Sequence, residues 1–358
     1  SSSLDMNYIL FDPPKVERFY PFTMTRPLCE MRVFGGTIKE KWEELLGKKV
    51  SYLTSESLSK IYPLTGKKTN NFFIPSNVLV KKDFLSDFLK LLRPISEFTS
   101  LKKVQEECPI LHQIDMGNVQ NFHIISQKTL LSDLLSIDTL KKSNIDCSQS
   151  TLLNDDEGPI VIDEDVKIMD GVMIKGPVHI CSGSIIKMGA KIYGPTIIGP
   201  NCRIGGEVSN SIFLGYSNKS HDGFLGHSII GEWCNIGAGT NCSNLRNDYK
   251  TVKVWDYVSQ EFQDSGQQFL GLYMGDHSKC SINTSFNTGT TIGVNCNIFG
   301  LGFFRNYVSS FSWGGPQGFK KYNFEKAMSV AKIVMARRNI DLTQLHIELL
   351  RFIHDNKT

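Results

Sequence analysis

The sequence lacks the features that mark several common classes of protein. None of its nine cysteines forms a Cys-x-x-Cys pair, and their number is odd, which argues against a disulfide framework or a zinc site. No apolar run is long enough to cross a membrane, and no signal peptide is recognisable. Neither charge sign is in excess, because 39 basic and 36 acidic residues give a net charge of +3. We therefore predict a cytoplasmic protein without a nucleic-acid or membrane partner.

What the sequence has instead is a six-residue repeat. Isoleucine returns at every sixth position, at Ile162, Ile168, Ile174, Ile180, Ile186, Ile192, Ile198 and Ile204. Small or β-branched residues follow four positions later, at Val166, Val172, Val178, Ser184, Ala190, Thr196, Cys202 and Val208. Three such units make one triangular coil of about 18 residues. The repeat therefore predicts a left-handed parallel β-helix over residues 158–303, with both sets of side chains in its core.

The period continues further along the chain, with two interruptions. It returns at Ile230, Ile236 and Cys242 and again at Met274, Cys280, Phe286, Ile292 and Ile298. Five cysteines fall on inward positions, namely Cys202, Cys234, Cys242, Cys280 and Cys296, and are predicted to be buried thiols. The interruptions lie within 210–226 and at 243–271, and insertions into a solenoid often carry its function.

The last segment, residues 304–358, is predicted to be a helical tail. Helical patterns occupy 324–338 and 341–354, and Asp341 with Gln344 resembles a capping box. A tail of this kind is expected to pack across the open end of the solenoid and cover its unpaired edge.

The first segment, residues 6–157, alternates short apolar strands with helical segments. Strands are predicted at 8–11, 50–53, 72–74 and 122–125, and helices at 38–46, 83–92 and 130–140. This alternation predicts a small α/β domain with a partly parallel sheet. Its most informative stretch is 18–35, which contains Pro21-Phe-Thr23, Thr25-Arg26-Pro27 and Val33-Phe-Gly35.

That stretch resembles the opening of sugar-1-phosphate nucleotidylyltransferases, where a glycine-rich loop ending in arginine precedes these elements. Arg18 lies where the loop arginine belongs, and the resemblance implies that Arg18 and Arg26 contact a phosphate of the nucleotide. The loop at 12–17 has two prolines and no glycine, however, and Leu28 replaces the signature lysine. Proline removes the backbone donors that would approach a phosphate. The resemblance therefore implies a divergent domain, which takes a nucleoside triphosphate and Mg²⁺ only if it is active.

The densest motif lies at 210–254. It contains His221-Asp-Gly-Phe-Leu-Gly-His227, then Asn235-Ile-Gly-Ala-Gly-Thr240, then Asn244 and Lys250-Thr-Val-Lys253. This segment closely resembles the acetyltransferase half of the bifunctional N-acetylglucosamine-1-phosphate uridylyltransferase/glucosamine-1-phosphate acetyltransferase family.

The resemblance implies a role for each matching residue. His221 matches the catalytic base, and Ala238 matches a backbone contact to acetyl-CoA. Asn244 matches the asparagine that helps to orient the base and the acceptor amine. The acceptor sugar phosphate would be contacted by Asn235, Phe224, Lys250 and Lys253, with Phe224 in place of a tyrosine. Relatives of this kind form homotrimers that build the acceptor site between chains, and no metal ligand is implied.

The residue types suit acyl transfer. A sugar amine must lose a proton as it attacks a thioester, and a neutral histidine near pH 7 is suited to accept it. Lysines can hold the acceptor's phosphate. The leading hypothesis is an acetyl-CoA-dependent N-acetyltransferase of an amino-sugar phosphate, fused to a nucleotidylyltransferase-like domain. Two alternatives are a nucleotidylyltransferase in which the β-helix only oligomerises, and a non-catalytic protein that binds sugar nucleotides.

Overall fold

The computed structural model describes residues 6–65, 70–95, 100–115, 121–136, 140, 142–145 and 150–356. Cys147 and part of the helix predicted at 130–140 lie outside these ranges. The predicted architecture is confirmed: an α/β domain precedes a parallel β-solenoid, and a helical tail follows. None of the described helices is long and apolar enough to cross a bilayer.

The N-terminal domain is built on a three-stranded parallel sheet. Asn7–Phe11 is the central strand, and Ser51–Leu53 and Asn71–Pro75 flank it. The helix Ile38–Leu46 begins with a capping box between Thr37 and Glu40 and ends at Gly47 in the left-handed conformation. The other helices are Glu56–Ser59, Leu85–Leu91, Leu101–Glu107, Pro109–Asp115 and Leu130–Leu135. Two antiparallel pairs complete the domain: Arg32–Val33 with Gly36–Thr37, and Val78–Val80 with Phe122–Ile124.

The solenoid has three faces, which we number by the sheets that form them. Face I consists of Lys167–Ile168, Ile185–Ile186, Arg203–Ile204, Asn218–Lys219, Asn235–Ile236, Lys279–Cys280, Asn297–Ile298 and Ser312–Gly315. Face II consists of Ile160–Ile162, Val178–Ile180, Thr196–Ile198, Ile212–Gly215, Ile229–Glu232, Leu272–Met274, Thr290–Ile292 and Tyr307–Val308. Face III consists of Leu152–Asn154, Met173–Lys175, Lys191–Tyr193, Glu207–Ser209 and Phe224–Gly226, and Asn241–Cys242 pairs with Ser285–Phe286 further along. The strands thus extend beyond the predicted 158–303 at both ends.

The repeat positions form the core, as the period predicts, with an exception at the first coil. Six of the eight isoleucines, from Ile174 to Ile204, are at most 2% exposed. Ile162 and Ile168 are only half-buried, because they lie in the first turn of the solenoid, whose strands pair with another strand on one side only. The five inward cysteines are all buried free thiols.

The first interruption of the repeat is a shortening of the coil rather than an insertion. Ile197 pairs with Ile212, and Ile212 pairs with Ile229, so these two coils have 15 and 17 residues. On face I the same shortening pairs Ile204 with Lys219. Lys219 therefore occupies an inward position that a strict six-residue count does not reach.

The second interruption fastens the two domains together. It forms the antiparallel pair Lys253–Asp256 and Glu261–Asp264. Val252, Val254 and Leu270 belong to the same buried cluster as the core of the N-terminal domain. Tyr257 also packs edge-on against Tyr20, with ring centroids 5.5 Å apart. These contacts give the segment a structural role between the domains.

The C-terminal tail covers one sheet edge and then packs along the molecule. Gly318–Lys321 pairs antiparallel with Ser312–Gly315 and ends face I. The helices Phe324–Ala336 and Gln344–Asp355 share a buried cluster with Phe311 of the solenoid and Met24 and Leu58 of the N-terminal domain. The capping box predicted at Asp341 is wrong, because Thr343 is the N-cap and its side chain accepts from the N–H of His346.

Candidate functional site

His221 lies at a corner of the solenoid that is built from glycines. The chain turns there from face I to face III, and Gly171, Gly189, Gly206 and Gly239 have φ values from +67° to +76°. Only glycine adopts this conformation without cost. We call this edge the glycine corner.

The glycine corner contains an open hollow of about 510 Å³. Its lining residues are Met169, Lys187, Met188, Gly206, Ser220, His221, Asp222, Ala238 and Gly239. His221 is exposed, and Ala238 is half-buried with its carbonyl accepting from the N–H of Asn283, 2.8 Å away. The residue matched to the catalytic base and the residue matched to the acetyl-CoA contact therefore share one hollow, which we call the glycine-corner hollow.

Asn244 is not beside His221 in the same chain. Its Nδ2 lies 3.0 Å from Nδ1 of His227, at the opposite end of the strand Phe224–Gly226 from His221. The His227 ring stacks on Phe269 with centroids 5.1 Å apart, and burial lowers the pKa of His227 to about 4. A neutral ring whose Nδ1 accepts from the amide fits this geometry.

His227 lines a second hollow, of about 310 Å³, between the domains. Leu131, Ser132 and Leu135 of the helix Leu130–Leu135 form one wall of this hollow, and Phe269 and Leu270 form another. The sequence motif gave no signal for it, because the wall residues are more than a hundred positions apart.

The other predicted acceptor contacts are spread over the solenoid. Asn235 is exposed on face I, where Asn218 Nδ2 lies 3.5 Å from its Oδ1. Lys250 and Lys253 are exposed on the segment that leaves the solenoid after Asn244. Phe224 is half-buried, and its N–H donates to Asn241 Oδ1 at 2.8 Å. None of these side chains is among the residues that line the glycine-corner hollow of the same chain.

Of the two arginines predicted to contact a phosphate, Arg26 lies instead at the contact between the two domains. It is 2% exposed, and its Nη2 lies 2.7 Å from Asp276 and 3.3 Å from Glu232 of the solenoid. The guanidinium is buried and bonded to two carboxylates, so it joins the two domains. In this conformation it cannot contact a phosphate. Arg18 is exposed, and its Nε lies 4.0 Å from Asp256.

The carboxyl edge of the N-terminal sheet is filled by the chain itself. Ligands of parallel sheets bind outside this edge, where Asp12, Thr54 and Ser76 follow the three strands and are all buried. The Asp12 carboxylate accepts from Thr54 Oγ1 and from the N–H of Leu28 at 3.0 Å. Burial raises the pKa of Asp12 to about 6. Asp12 and Thr54, which follow two of the three strands, are therefore hydrogen-bonded to each other rather than open to a nucleotide.

A cluster of Asp163, His179 and Cys181 has ligand atoms within 4.8 Å of one another. A metal-bound imidazole normally donates its second N–H. Here the N–H of Gly35 donates to His179 Nδ1 at 3.2 Å, while Nε2 lies 3.0 Å from Asp163. Nδ1 is thus an acceptor and Nε2 carries the proton, so the donor set fits a hydrogen-bonded link between the domains better than a metal site.

Comparison with known proteins finds similarity to sugar nucleotidyl transferases and to bifunctional nucleotidylyltransferase/acetyltransferases. Residues 8–115 match the family model of sugar nucleotidyl transferases. The chain is 37% identical over 145 residues to a bifunctional sugar-1-phosphate nucleotidylyltransferase/acetyltransferase of Sulfurisphaera tokodaii, covering 40% of this chain and 36% of that protein.

Two further relatives are similar in kind. The bifunctional protein GlmU of Methanocaldococcus jannaschii is 35% identical over 150 residues, covering 36% of each protein. The uncharacterized acetyltransferase YaiX of Escherichia coli is 25% identical over 160 residues, covering 44% of this chain and 69% of that protein. The chain spans about a third of the length of the two bifunctional relatives. The predicted resemblance to bifunctional nucleotidylyltransferase/acetyltransferases is confirmed.

Proposed function

We propose that the chain is an acetyl-CoA-dependent N-acetyltransferase of an amino-sugar phosphate, and that its reaction takes place in the glycine-corner hollow. The observation that carries this proposal is the shared hollow of His221 and Ala238. A general base must be within reach of its substrate, and His221 is the exposed histidine of this hollow. The relatives named as acetyltransferases support the reaction class.

In this proposal His221 takes a proton from the acceptor amine while the amine nitrogen attacks the thioester carbonyl of acetyl-CoA. The C–N bond forms, the C–S bond breaks, and the proton on His221 passes to the departing CoA thiolate. A backbone N–H near Ala238 would face the carbonyl oxygen as it gains negative charge. Acetyl-CoA is the only cofactor that this reaction requires.

The dispersal of the other acceptor contacts favours a site shared between chains. Asn244, Lys250 and Lys253 lie on or near the segment that leaves the solenoid, and none of them lines the hollow of their own chain. We propose that three chains associate through their solenoids, so that this segment completes the hollow of a neighbour. Light scattering that shows a monomer at micromolar concentration would rule out the shared site.

For the N-terminal domain we propose a structural role without nucleotidylyl transfer. Its carboxyl edge is filled by Asp12, Thr54 and Ser76, and its loop has prolines at 13 and 14. Mg²⁺ and a nucleoside triphosphate would need this edge to be open.

The cytoplasmic location of the protein stays a prediction.

Free CoA release against a panel of amino-sugar phosphates tests the proposed function. Thermal shift with the same compounds separates the alternatives, because a ligand that binds only the folded state raises its melting temperature. Acetyl-CoA should stabilise the protein, whereas UTP and dTTP should not. Stabilisation by UTP or dTTP alone, without CoA release from any acceptor, would favour the nucleotide-binding alternatives.

A further inference from the structure

Lys219 occupies a place in the solenoid core that the other coils give to apolar residues. It is 2% exposed and pairs with Ile204 on face I. The inward residues of the same row are Ile168, Ile186, Ile204, Ile236, Cys280 and Ile298. A charged group placed among apolar side chains costs free energy unless it is well bonded. An isoleucine would fit the row without that cost, so packing alone does not account for the lysine.

The ammonium of Lys219 emerges from this row at the glycine corner. Its Nζ donates to the carbonyl of Gly205 at 2.9 Å and to the carbonyl of His221 at 2.8 Å. It therefore joins one coil to the corner of the next coil, at the residue proposed as the base.

Gly206 leaves room for this arrangement. A Cβ at Gly206 would lie 2.6 Å from Lys219 Nζ and 2.6 Å from the carbonyl oxygen of His221. Gly206 also lines the glycine-corner hollow, so a residue without a side chain separates the ammonium from the hollow. The polar residue of this row therefore occurs in the same coil that carries His221.

We propose that Lys219 is a positioning residue for acyl transfer, whose ammonium fixes the backbone of His221 at the glycine-corner hollow. This inference rests on the proposed function and adds a residue to it. Lys219 acts through His221, so its contribution requires the imidazole to be present.

The test compares Lys219→Met with Lys279→Met in the full-length protein. Methionine keeps the length of the side chain and fits an apolar row. Lys279 is a matched control, because its Nζ donates to the carbonyl of His277 at 2.9 Å but it does not line the hollow. Lys219→Ile is a second variant that restores the isoleucine row.

The first readout is hydrogen–deuterium exchange, which does not depend on activity. Loss of two bonds to backbone carbonyls should speed exchange at residues 220–223 by roughly tenfold or more in Lys219→Met. Lys279→Met should leave this segment unchanged. Unchanged exchange in Lys219→Met would overturn the proposal, as would unfolding of both the Met and Ile variants, because the fold itself would then require the ammonium.

The second readout is steady-state CoA release. A displaced base should lower kcat by about 10²-fold, with the KM for acetyl-CoA changed less than twofold. In a His221→Ala background, Lys219→Met should have no further effect, because a residue that acts through His221 has nothing left to position. Additive losses in the double variant would overturn the proposal while leaving the proposed function intact. An unsubstituted protein that releases no CoA from any acceptor would overturn the proposed function and, with it, the role of Lys219 in acyl transfer.

Discussion

The carboxyl edge of the N-terminal sheet and the glycine corner of the solenoid are both places where a ligand is expected, and they differ in whether polar groups are already satisfied. At the sheet edge, the Asp12 carboxylate accepts from Thr54 and from the N–H of Leu28 and is 1% exposed. At the glycine corner, His221 is exposed and lines a hollow of about 510 Å³. A resemblance to a family therefore has different consequences in the two halves of one chain.

The difference has a local cause in each region. Glycines at the corner adopt left-handed backbone conformations and add no side chain to the hollow. At the sheet edge, Pro13 is buried and the next residue is also proline. Because proline has no backbone N–H, the loop has few backbone donors for a phosphate. We expect the first region to bind its ligand and the second to keep the domain folded.

The largest expected effect comes from breaking the solenoid beneath the glycine corner. Ile186 is fully buried, so Ile186→Asp places an unpaired charge in the core at a cost of several kcal/mol. We expect no cooperative melting transition by circular dichroism. Ile162→Asp is the matched control, because Ile162 is half-buried in the first turn and should be tolerated. A folded Ile186→Asp variant with a normal melting temperature would contradict the assigned core.

A smaller expected effect is the dependence of stability on pH that arises from the buried ammonium of Lys219. Burial lowers the pKa of Lys219 to about 8, while Asp222 and Glu207 oppose the shift. Between about pH 8 and the ordinary lysine pKa near 10.4, the unfolded chain holds a proton that the folded chain has released. Stability should therefore rise with pH in this window, by roughly 3 kcal/mol at most.

Melting temperatures at pH 7.5, 9 and 10 measure this effect as the difference between the unsubstituted protein and Lys219→Met. The other groups titrate in both proteins and cancel. The unsubstituted protein should gain stability relative to the variant as the pH rises. An identical pH trend in the two proteins would mean that Lys219 is not desolvated in solution.

Removal of a proposed acceptor contact should weaken acceptor binding by about 1.4 kcal/mol. Lys250→Ala removes a cation proposed to hold a phosphate that does not change in the transition state, so the acceptor's KM should rise about tenfold with kcat little changed. Lys332→Ala, on the exposed side of the helix Phe324–Ala336, is the control. Equal kinetics in the two variants would remove Lys250 from the site.

At the N-terminal domain we expect no nucleotidylyl transfer and therefore no effect of substitution on activity. The protein should not release pyrophosphate from UTP or dTTP with common sugar-1-phosphates, because the sheet edge is filled. Arg18→Ala should leave CoA release unchanged. Robust pyrophosphate production that Arg18→Ala abolishes would erase the contrast between the two regions.

The solenoid was predictable because its repeat is local. Ile174 and Ile186 face inward for the same reason in each coil, so a six-residue count finds them. The count fails at Lys219, since the coil that ends there has 15 residues whereas the coil before it has 18. A search for pairs 15 residues apart would have placed Lys219 beside Ile204.

The site was predictable only where the motif is contiguous. His221 and Ala238 lie in one motif and line one hollow. Arg26 could not be placed from the sequence, because its partner Asp276 is 250 positions away. The pairing of Asn244 with His227 depends on where the chain leaves the solenoid, which side-chain chemistry alone does not determine.

The most direct test of the glycine-corner hollow is CoA release by His221→Ala. General-base catalysis contributes about 10²–10⁴-fold, so turnover with the best amino-sugar phosphate should fall by that factor while the melting temperature stays the same. His112→Ala, in the helix Pro109–Asp115 of the N-terminal domain, should retain full turnover. Full acetyl transfer by His221→Ala would contradict the account and leave the hollow without a catalytic role.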